Sequence, residues 1–307
     1  MDLILATVTG AFSTVAGASL VLLALAIGLH LGKVAAEARA WHGIVRHAHP
    51  NDRVAFGTTL GAFAGATGAN AVLPARIGEA LKLGIVRRRL PGSTVPTVAG
   101  TIVLATVIEM AFALAVILVV LLSGRSVGHI GTPMTLVRSN PLAPVIIGLG
   151  LLAAGIVGFR FRRSLARTGV AVARGMSILR SPGHLLRGVL GWKALAWTLR
   201  FAAVYCFLLA FHLGGGLWVV LLVIAAQDLA GLVPLSPGSA GTQQAALALA
   251  LGATVGTSAI IGFGVGMQVA TGLADVAAGV VAVALVSSWS DLRALLRRHP
   301  ARGLASA

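Results

Sequence analysis

Asn70-Ala71-Val72-Leu73-Pro74-Ala75-Arg76-Ile77-Gly78-Glu79-Ala80-Leu81-Lys82 follows an apolar, glycine-rich run that begins near Phe56. It sets a helix breaker, an arginine and a glutamate inside what hydropathy alone reads as membrane, where charge is expensive and marks function by default. Pro74 has a fixed φ and no N–H, which the first turn of a helix tolerates, so a short helix is expected to start there. Arg76, Glu79 and Lys82 then stand on one face, spaced by about one turn. A second stretch, Gly231-Leu232-Val233-Pro234-Leu235-Ser236-Pro237-Gly238-Ser239-Ala240-Gly241-Thr242-Gln243-Gln244, has the same grammar of apolar helix, Pro/Gly break and polar-headed short helix. Broken segments in corresponding halves of a chain point to a midplane site in transporters. The two stretches are therefore read as matching halves of one site.

The composition fixes the solvent. The 307-residue chain is 57% hydrophobic and 10% charged, with mean hydropathy +0.95, against about 25% charged residues in soluble domains. It reads as an all-α, polytopic helical membrane protein. Its 39 glycines suit helices packed closely through small residues, not the alternating strands of a barrel. The apolar runs exceed what a signal peptide supplies, so the first is expected to stay as a membrane helix. The formal charge of +16 sits in short loops between apolar spans, which fits cytoplasmic loops facing anionic lipid and argues against a nucleic-acid partner. Cys206 is the single cysteine, so no internal disulfide is possible and the residue reads as a small buried hydrophobe.

In chain order, Thr7 to Leu31 is the first expected span, followed by a loop carrying His30, Lys33, Glu37, Arg39, His42, Arg46, His47, His49, Asp52 and Arg53. The histidines read as a cytoplasmic linker, not a metal site. If Val54 to Leu73 crossed fully, Arg87, Arg88 and Arg89 would land opposite the first basic loop and break the positive-inside bias. A re-entrant hairpin from the cytoplasm, broken near Asn70 to Pro74, removes the conflict. Thr94 to Ser123 then crosses outward and Pro141 to Phe159 inward. Arg160 to Arg187 holds seven arginines and no acid, as a cytoplasmic amphipathic segment would. Gly188 to Leu213 crosses outward, with Lys193 and Arg200 towards its cytoplasmic half. Leu217 to Leu235 and Pro237 to Leu251 form a second hairpin, entered from outside, and Thr257 to Ser287 returns inward. The expected organisation is one transmembrane domain over 1–292, with an inverted repeat of about 7–123 and about 188–287. A span and basic segment, 141–187, links the repeats, and 293–307 is a cytoplasmic tail.

Four acids fall inside membrane runs: Glu79, Glu109, Asp228 and Asp275. Glu79 reads as a switch beside the substrate or as the ion-pair partner of Arg76 or Lys82. Asp228 reads as a headgroup contact or a hydrogen-bond anchor, and Glu109 and Asp275 as coupling groups or protonated contacts between helices. Arg76 decides the substrate type, because a guanidinium facing the interior wants a carboxylate or phosphate, which it grips bidentately. The first-turn N–H groups after Pro74 and Pro237, with Asn70, Ser236, Ser239 and Thr242, complete an expected phosphate site. Pro74, Gly78, Pro234, Pro237, Gly238 and Gly241 shape the breaks. No His-Glu-x-x-His, Walker loop or nucleophile with a nearby base stands in the chain. The expectation is a protein that is not an enzyme and uses no cofactor or metal.

The same stretches resemble the transmembrane family named for lysylphosphatidylglycerol synthase, whose members are flippase-like. Its first motif, close to Asn-x-x-x-Pro-x-Arg-x-Gly-Glu, is matched by Asn70, Pro74, Arg76, Gly78 and Glu79. Its second, close to Pro-x-Ser-Pro-Gly-Gly-x-Gly-x-x-Glu, is matched by Pro234, Ser236, Pro237, Gly238 and Gly241, with Ser239 where a glycine is expected and Gln244 where an acid is expected. The resemblance implies lipid translocation. Synthase activity is not carried over, since no aminoacyl-transferase domain is read in these residues. The expected partners are the bilayer of the cell membrane and an anionic lipid, either a phospholipid or a polyprenyl-phosphate-linked carrier. The alternatives are a non-transporting scaffold for a lipid or envelope enzyme and, less well matched, a polytopic transferase. Lipid identity, direction, coupling ion and oligomeric state are left open by the sequence.

The topology expectation is testable with cysteines at Arg88 and Gly252 in a Cys206→Ala background. An impermeant thiol reagent should label position 88 only from the cytoplasmic side and position 252 only from the other. Labelling of position 88 from outside would sink the inner hairpin.

Overall fold

The computed structural model describes residues 17–73, 77–90, 92–123, 169–170, 172–214, 216–231, 239 and 241–286. Among these residues the chain is helical, with no strand. The principal helices are α1 Leu20–Ala48, α2 Phe56–Val72, α3 Gly78–Arg89, α4 Val95–Leu122, α5 Pro182–Ala210, α6 Leu217–Gly231, α7 Thr242–Val255 and α8 Thr257–Val286. Four of them, α1, α4, α5 and α8, are long and apolar enough to cross a membrane. The others have 17, 12, 15 and 14 residues, short of the roughly 20 that a crossing needs.

Local chemistry sets the ends. Thr94 accepts the Thr97 N–H at 3.3 Å and Pro96 follows in the first turn of α4, satisfying one orphan donor and omitting another. Gly256, at φ 90°, separates α7 from α8. In α5 a wider π turn at Leu186–Leu190 joins the entry at Pro182 to the long helix. The start of α1 is tied to the end of α5 by the Ser19 N–H, which donates to the Ala210 carbonyl at 2.8 Å.

The most extensive packing is of α1 on α5 and of α2 on α8. Glycine makes the second approach possible: a Cβ on Gly68 would lie 2.6 Å from the Asp275 carbonyl oxygen, and one on Gly279 2.9 Å from that of Ala64. The short helix α2 thus lies against α8, and α6 lies against α4 as well as α5.

Two apolar clusters bracket a charged layer. One gathers Trp41, Ile44, Val45, Ile85, Val86 and Val189; the other gathers Phe207, Leu208, Ile224, Leu247, Ile260 and Phe263. Along α1 the order is Ala26, then Lys33 and Glu37, then Ala40; along α4 it is Leu104, Glu109, Val116; along α5 it is Val189, Lys193, Arg200, Val204. On each helix these charges stand between residues of the two apolar clusters. The arginines at 46, 53, 87–89 and 174 flank the Trp41 cluster and so lie at one end of the bundle.

The first helix departs from the sequence expectation. A span ending at Leu31 and a loop thereafter were expected, whereas α1 continues through His30, Lys33, Glu37, Arg39, His42, Arg46 and His47 to Ala48. The reason is pairing: Lys33 Nζ lies 3.3 Å from Glu37 Oε1 one turn on, with both side chains largely buried, so these charges do not mark water. The start of α5 is also earlier than expected, at Pro182. The short helix after the first break is described from Gly78. The expected Pro141 to Phe159 span, Arg160 to Arg167, the tail, Pro74, Arg76, Pro234, Ser236, Pro237 and Gly238 lie outside the described residues.

Gly78 and Gly241 are both needed, for different reasons. A Cβ on Gly78 would sit 2.1 Å from the Ala66 carbonyl oxygen, whereas one on Gly241 meets nothing but requires φ 84°. Gly78→Ala is expected to destabilise the folded protein by about 1–3 kcal/mol through overpacking, and Gly241→Ala by about 1–2 kcal/mol through backbone strain. Thermal unfolding in detergent checks both, and an unchanged Gly78→Ala transition would show that α2 and α3 can separate.

Candidate functional site

Between the two apolar layers lies a cavity of about 490 Å³, lined from α1 by Lys33 and Glu37, from α2 and α3 by Asn70, Glu79 and Lys82, and from α4 by Glu109. Lys193 of α5, Gln227 and Asp228 of α6, and Ser239 close it. A neighbouring cavity of about 340 Å³ shares Lys33, Glu109, Gln227 and Asp228 and extends past His30, Arg200, Gln243 and Thr271. The shared residues form a polar partition.

The charges in this layer are matched. Lys82 Nζ lies 3.1 Å from Glu79 Oε1, Arg200 Nη2 lies 2.7 Å from Asp228 Oδ1, and Lys193 contacts Glu109. His30 Nε2 lies 2.9 Å from Asp275 Oδ1. Three of these pairs join different helices: α5 to α4, α5 to α6, and α1 to α8. Arg200 also donates to Gln227 Oε1 at 3.2 Å and stacks over Trp197, 4.9 Å from the ring centroid. Lys82 is held further by Phe63, whose centroid is 4.3 Å from Nζ, an attraction between cation and ring quadrupole. Among the described residues, Glu79 Oε2 and Asp228 Oδ2 are buried without a hydrogen-bond partner. Both belong to residues lining the larger cavity, though these two oxygens are themselves buried, so each is an acceptor with unused capacity behind the cavity wall.

The two breaks are held by their own side chains. Asn70 Oδ1 accepts the Gly78 N–H at 2.8 Å, bridging α2 to α3. At α7, Gln244 Oε1 accepts the Gly241 N–H at 2.7 Å, and its amide nitrogen donates to Gln268 of α8. An amide suits that place because it accepts with one atom and donates with the other, which a carboxylate cannot do. These bonds occupy two N–H groups that the sequence offers to an anion. Ser239 adopts φ 59°, the left-handed region that a glycine enters freely, and Thr242 donates its hydroxyl to the Ser239 carbonyl at 2.9 Å.

Of the residues expected to bind substrate, Asn70, Glu79, Asp228 and Ser239 meet at the larger cavity, joined there by Glu109. Thr242 lies behind Ser239, and Asp275 is on α8 against His30. Sequence reasoning missed His30, Lys33, Glu37, Lys193 and Arg200 as site residues. Their signal was spacing: Lys33 and Glu37 are one turn apart and Lys193 and Arg200 two turns apart, each pair on one helix face.

The chain belongs to the family of the lysylphosphatidylglycerol synthase TM region, which it matches over residues 3–279 of 307. It is a membrane protein of a family related to lipid modification or flipping. Comparison with curated proteins and with solved structures gave no match.

Matched charges predict an asymmetry between single and double changes. Arg200→Met strands Asp228, whose side chain is 15% exposed, and is expected to destabilise by about 3–5 kcal/mol. Arg200→Met with Asp228→Asn should be milder, by about 1 kcal/mol or more. Thermal unfolding of the three variants measures it, and a double variant as unstable as the sum of the singles would mean that the two side chains do not interact.

Proposed function

We propose that this protein binds the headgroup of an anionic lipid, a phospholipid or a polyprenyl-phosphate-linked carrier, in the central cavity and translocates it across the cell membrane. The observation that carries the reading is the cavity itself: amphipathic, lined by paired charges among apolar side chains, and bracketed by two apolar layers. A headgroup needs polar lining at membrane depth, and buried ionisable groups there are functional by default. Matched pairs also make exchange feasible, because an entering phosphate can replace a carboxylate at Lys193 or Arg200 without leaving a cation uncompensated.

Arg76 precedes Glu79 by three residues and would bring a bidentate phosphate grip to the wall that Asn70 and Glu79 already form. The short helices α2 with α3 and α6 with α7 act in this reading as re-entrant hairpins. Packing is compatible with that reading: α2 lies on α8, the closing long helix of the opposite half, and α6 touches α4 as well as α5. An inverted repeat arranged in this way can expose a central site alternately to the two sides. No catalytic step is assigned: Glu79, Glu109 and Asp228 are each engaged with a cation, and we read them as positioning groups.

The test is translocation of headgroup-labelled phosphatidylglycerol in proteoliposomes, with thermal stability measured in parallel. Arg76→Ala should abolish transport. Arg76→Lys should fold normally and transport poorly, because an ammonium keeps the charge and loses the planar fork. Glu79→Ala combined with Arg76→Ala should be as inactive as Arg76→Ala alone. Restored transport in the double variant would make Arg76 a structural partner of Glu79 and refute the anchor role. Wild-type behaviour of every variant in cells would favour the scaffold alternative.

A further inference from the structure

A second site lies at the arginine-rich end of the bundle, apart from the central cavity. A cleft of about 1170 Å³ opens between the last turns of α1, the 49–55 connection, the segment from Arg174 to Ile178, and the entry of α5. Four guanidinium groups line it, those of Arg39, Arg46, Arg53 and Arg174, against the single carboxylate of Asp52. We propose that this cleft is a binding site for a phosphomonoester or diphosphate group.

Its floor is built, not incidental. A Cβ on Gly43 of α1 would lie 2.8 Å from the Gly188 carbonyl oxygen of α5, so the two helices touch backbone to backbone beneath the cleft. That approach brings arginines from separate segments around one concave space. The far wall is tied on by side chains: Ser177 Oγ donates to the His47 carbonyl at 3.4 Å, and the His47 and His184 rings lie 5.9 Å apart. Arg39 is held between aromatic faces, 5.6 Å from the Phe56 centroid and 5.8 Å from that of Trp192. The stacking orients its guanidinium and leaves its N–H edge for an acceptor. Arg46 also complements the α1 dipole from its last turn. Arg53 and Arg174 have no such role and no ion-pair partner among the described residues. Gathering like charge in a concavity is unfavourable until an anion enters, and the planar forks of arginine favour phosphate oxygens in pairs. With one carboxylate present, a multiply charged phosphate suits the cleft better than a monovalent anion.

The phosphate could be presented by a lipid headgroup or in solution, and calorimetry on the full chain in phosphatidylcholine nanodiscs separates the two. One arm titrates inorganic pyrophosphate, the other short-chain phosphatidic acid. Arg46→Gln with Arg174→Gln should weaken whichever probe binds by roughly tenfold or more, since charge-assisted bidentate contacts are lost. Arg87→Gln with Arg88→Gln removes the same charge from exposed positions of α3 and should change affinity by about twofold at most. Binding of phosphatidic acid alone assigns the site to a lipid headgroup; binding of pyrophosphate assigns it to a soluble phosphate. Equal losses in the two double variants, or no binding of either probe, would overturn the proposal. Arg53→Gln, in the connection outside the helices, carries the same test if the first double variant does not fold.

Discussion

The constraint on which the rest of the structure depends is that charge placed between apolar layers must be neutralised where it stands. An unpaired ion removed from water costs several kcal/mol even after relaxation. Among the described residues the helices carry eight charged side chains in the central layer, Lys33, Glu37, Glu79, Lys82, Glu109, Lys193, Arg200 and Asp228, and every one is in an ion pair. Two pairs are local to one helix. The other two join α5 to α4 and α5 to α6, so the register of these helices is fixed by charge as well as by packing. His30 and Asp275 extend the pattern to α1 and α8.

Glycine supplies the complementary constraint. Helices in a membrane gain little from burying apolar surface against one another, so their association rests on close packing and on polar contacts. The α2 approach to α8 uses both: Gly65 and Gly68 face Val283 and Asp275, while Asp275 turns its carboxylate to His30. Substituting either glycine would push α8 away from α2 and disturb the helix whose one acid His30 holds. Packing and charge pairing are therefore not separable contributions here.

Much of this was legible in the sequence. Composition identified the helical membrane class, and the Pro/Gly breaks at Asn70 to Gly78 and Gly231 to Gly241 located two segments that meet at the cavity. Thr94 and Thr257 read as the starts of spans, and helices begin at Val95 and Thr257, whereas the limb expected to end at Leu251 continues to Val255. The first helix was misjudged because Lys33 and Glu37 were counted as charges in water. Hydropathy sums over residues one at a time, and a pair one turn apart on a helix neutralises itself in a way that no sum records. Lys193 and Arg200 escaped for the related reason that their partners, Glu109 and Asp228, are distant in sequence. The acids drew attention because acids are rare in this chain; the bases that hold them were hidden among 24 lysines and arginines.

Those bases also bear on how a phosphate could be handled. In a cavity with bare cations, a phosphate would bind tightly and leave slowly. Where a cation already holds a carboxylate, as Lys193 and Arg200 do, an entering phosphate gains only the difference between two anions, while the displaced carboxylate must find a donor. Gln227 beside Asp228 offers an uncharged amide in the same wall. Binding that is close to an exchange is favourable enough to enter and weak enough to leave, which a carrier requires and a storage site does not. The arginine cleft differs in this respect, because its guanidinium groups face one carboxylate among them and a phosphate there meets little competition. The two sites thus differ in charge balance before any ligand is considered.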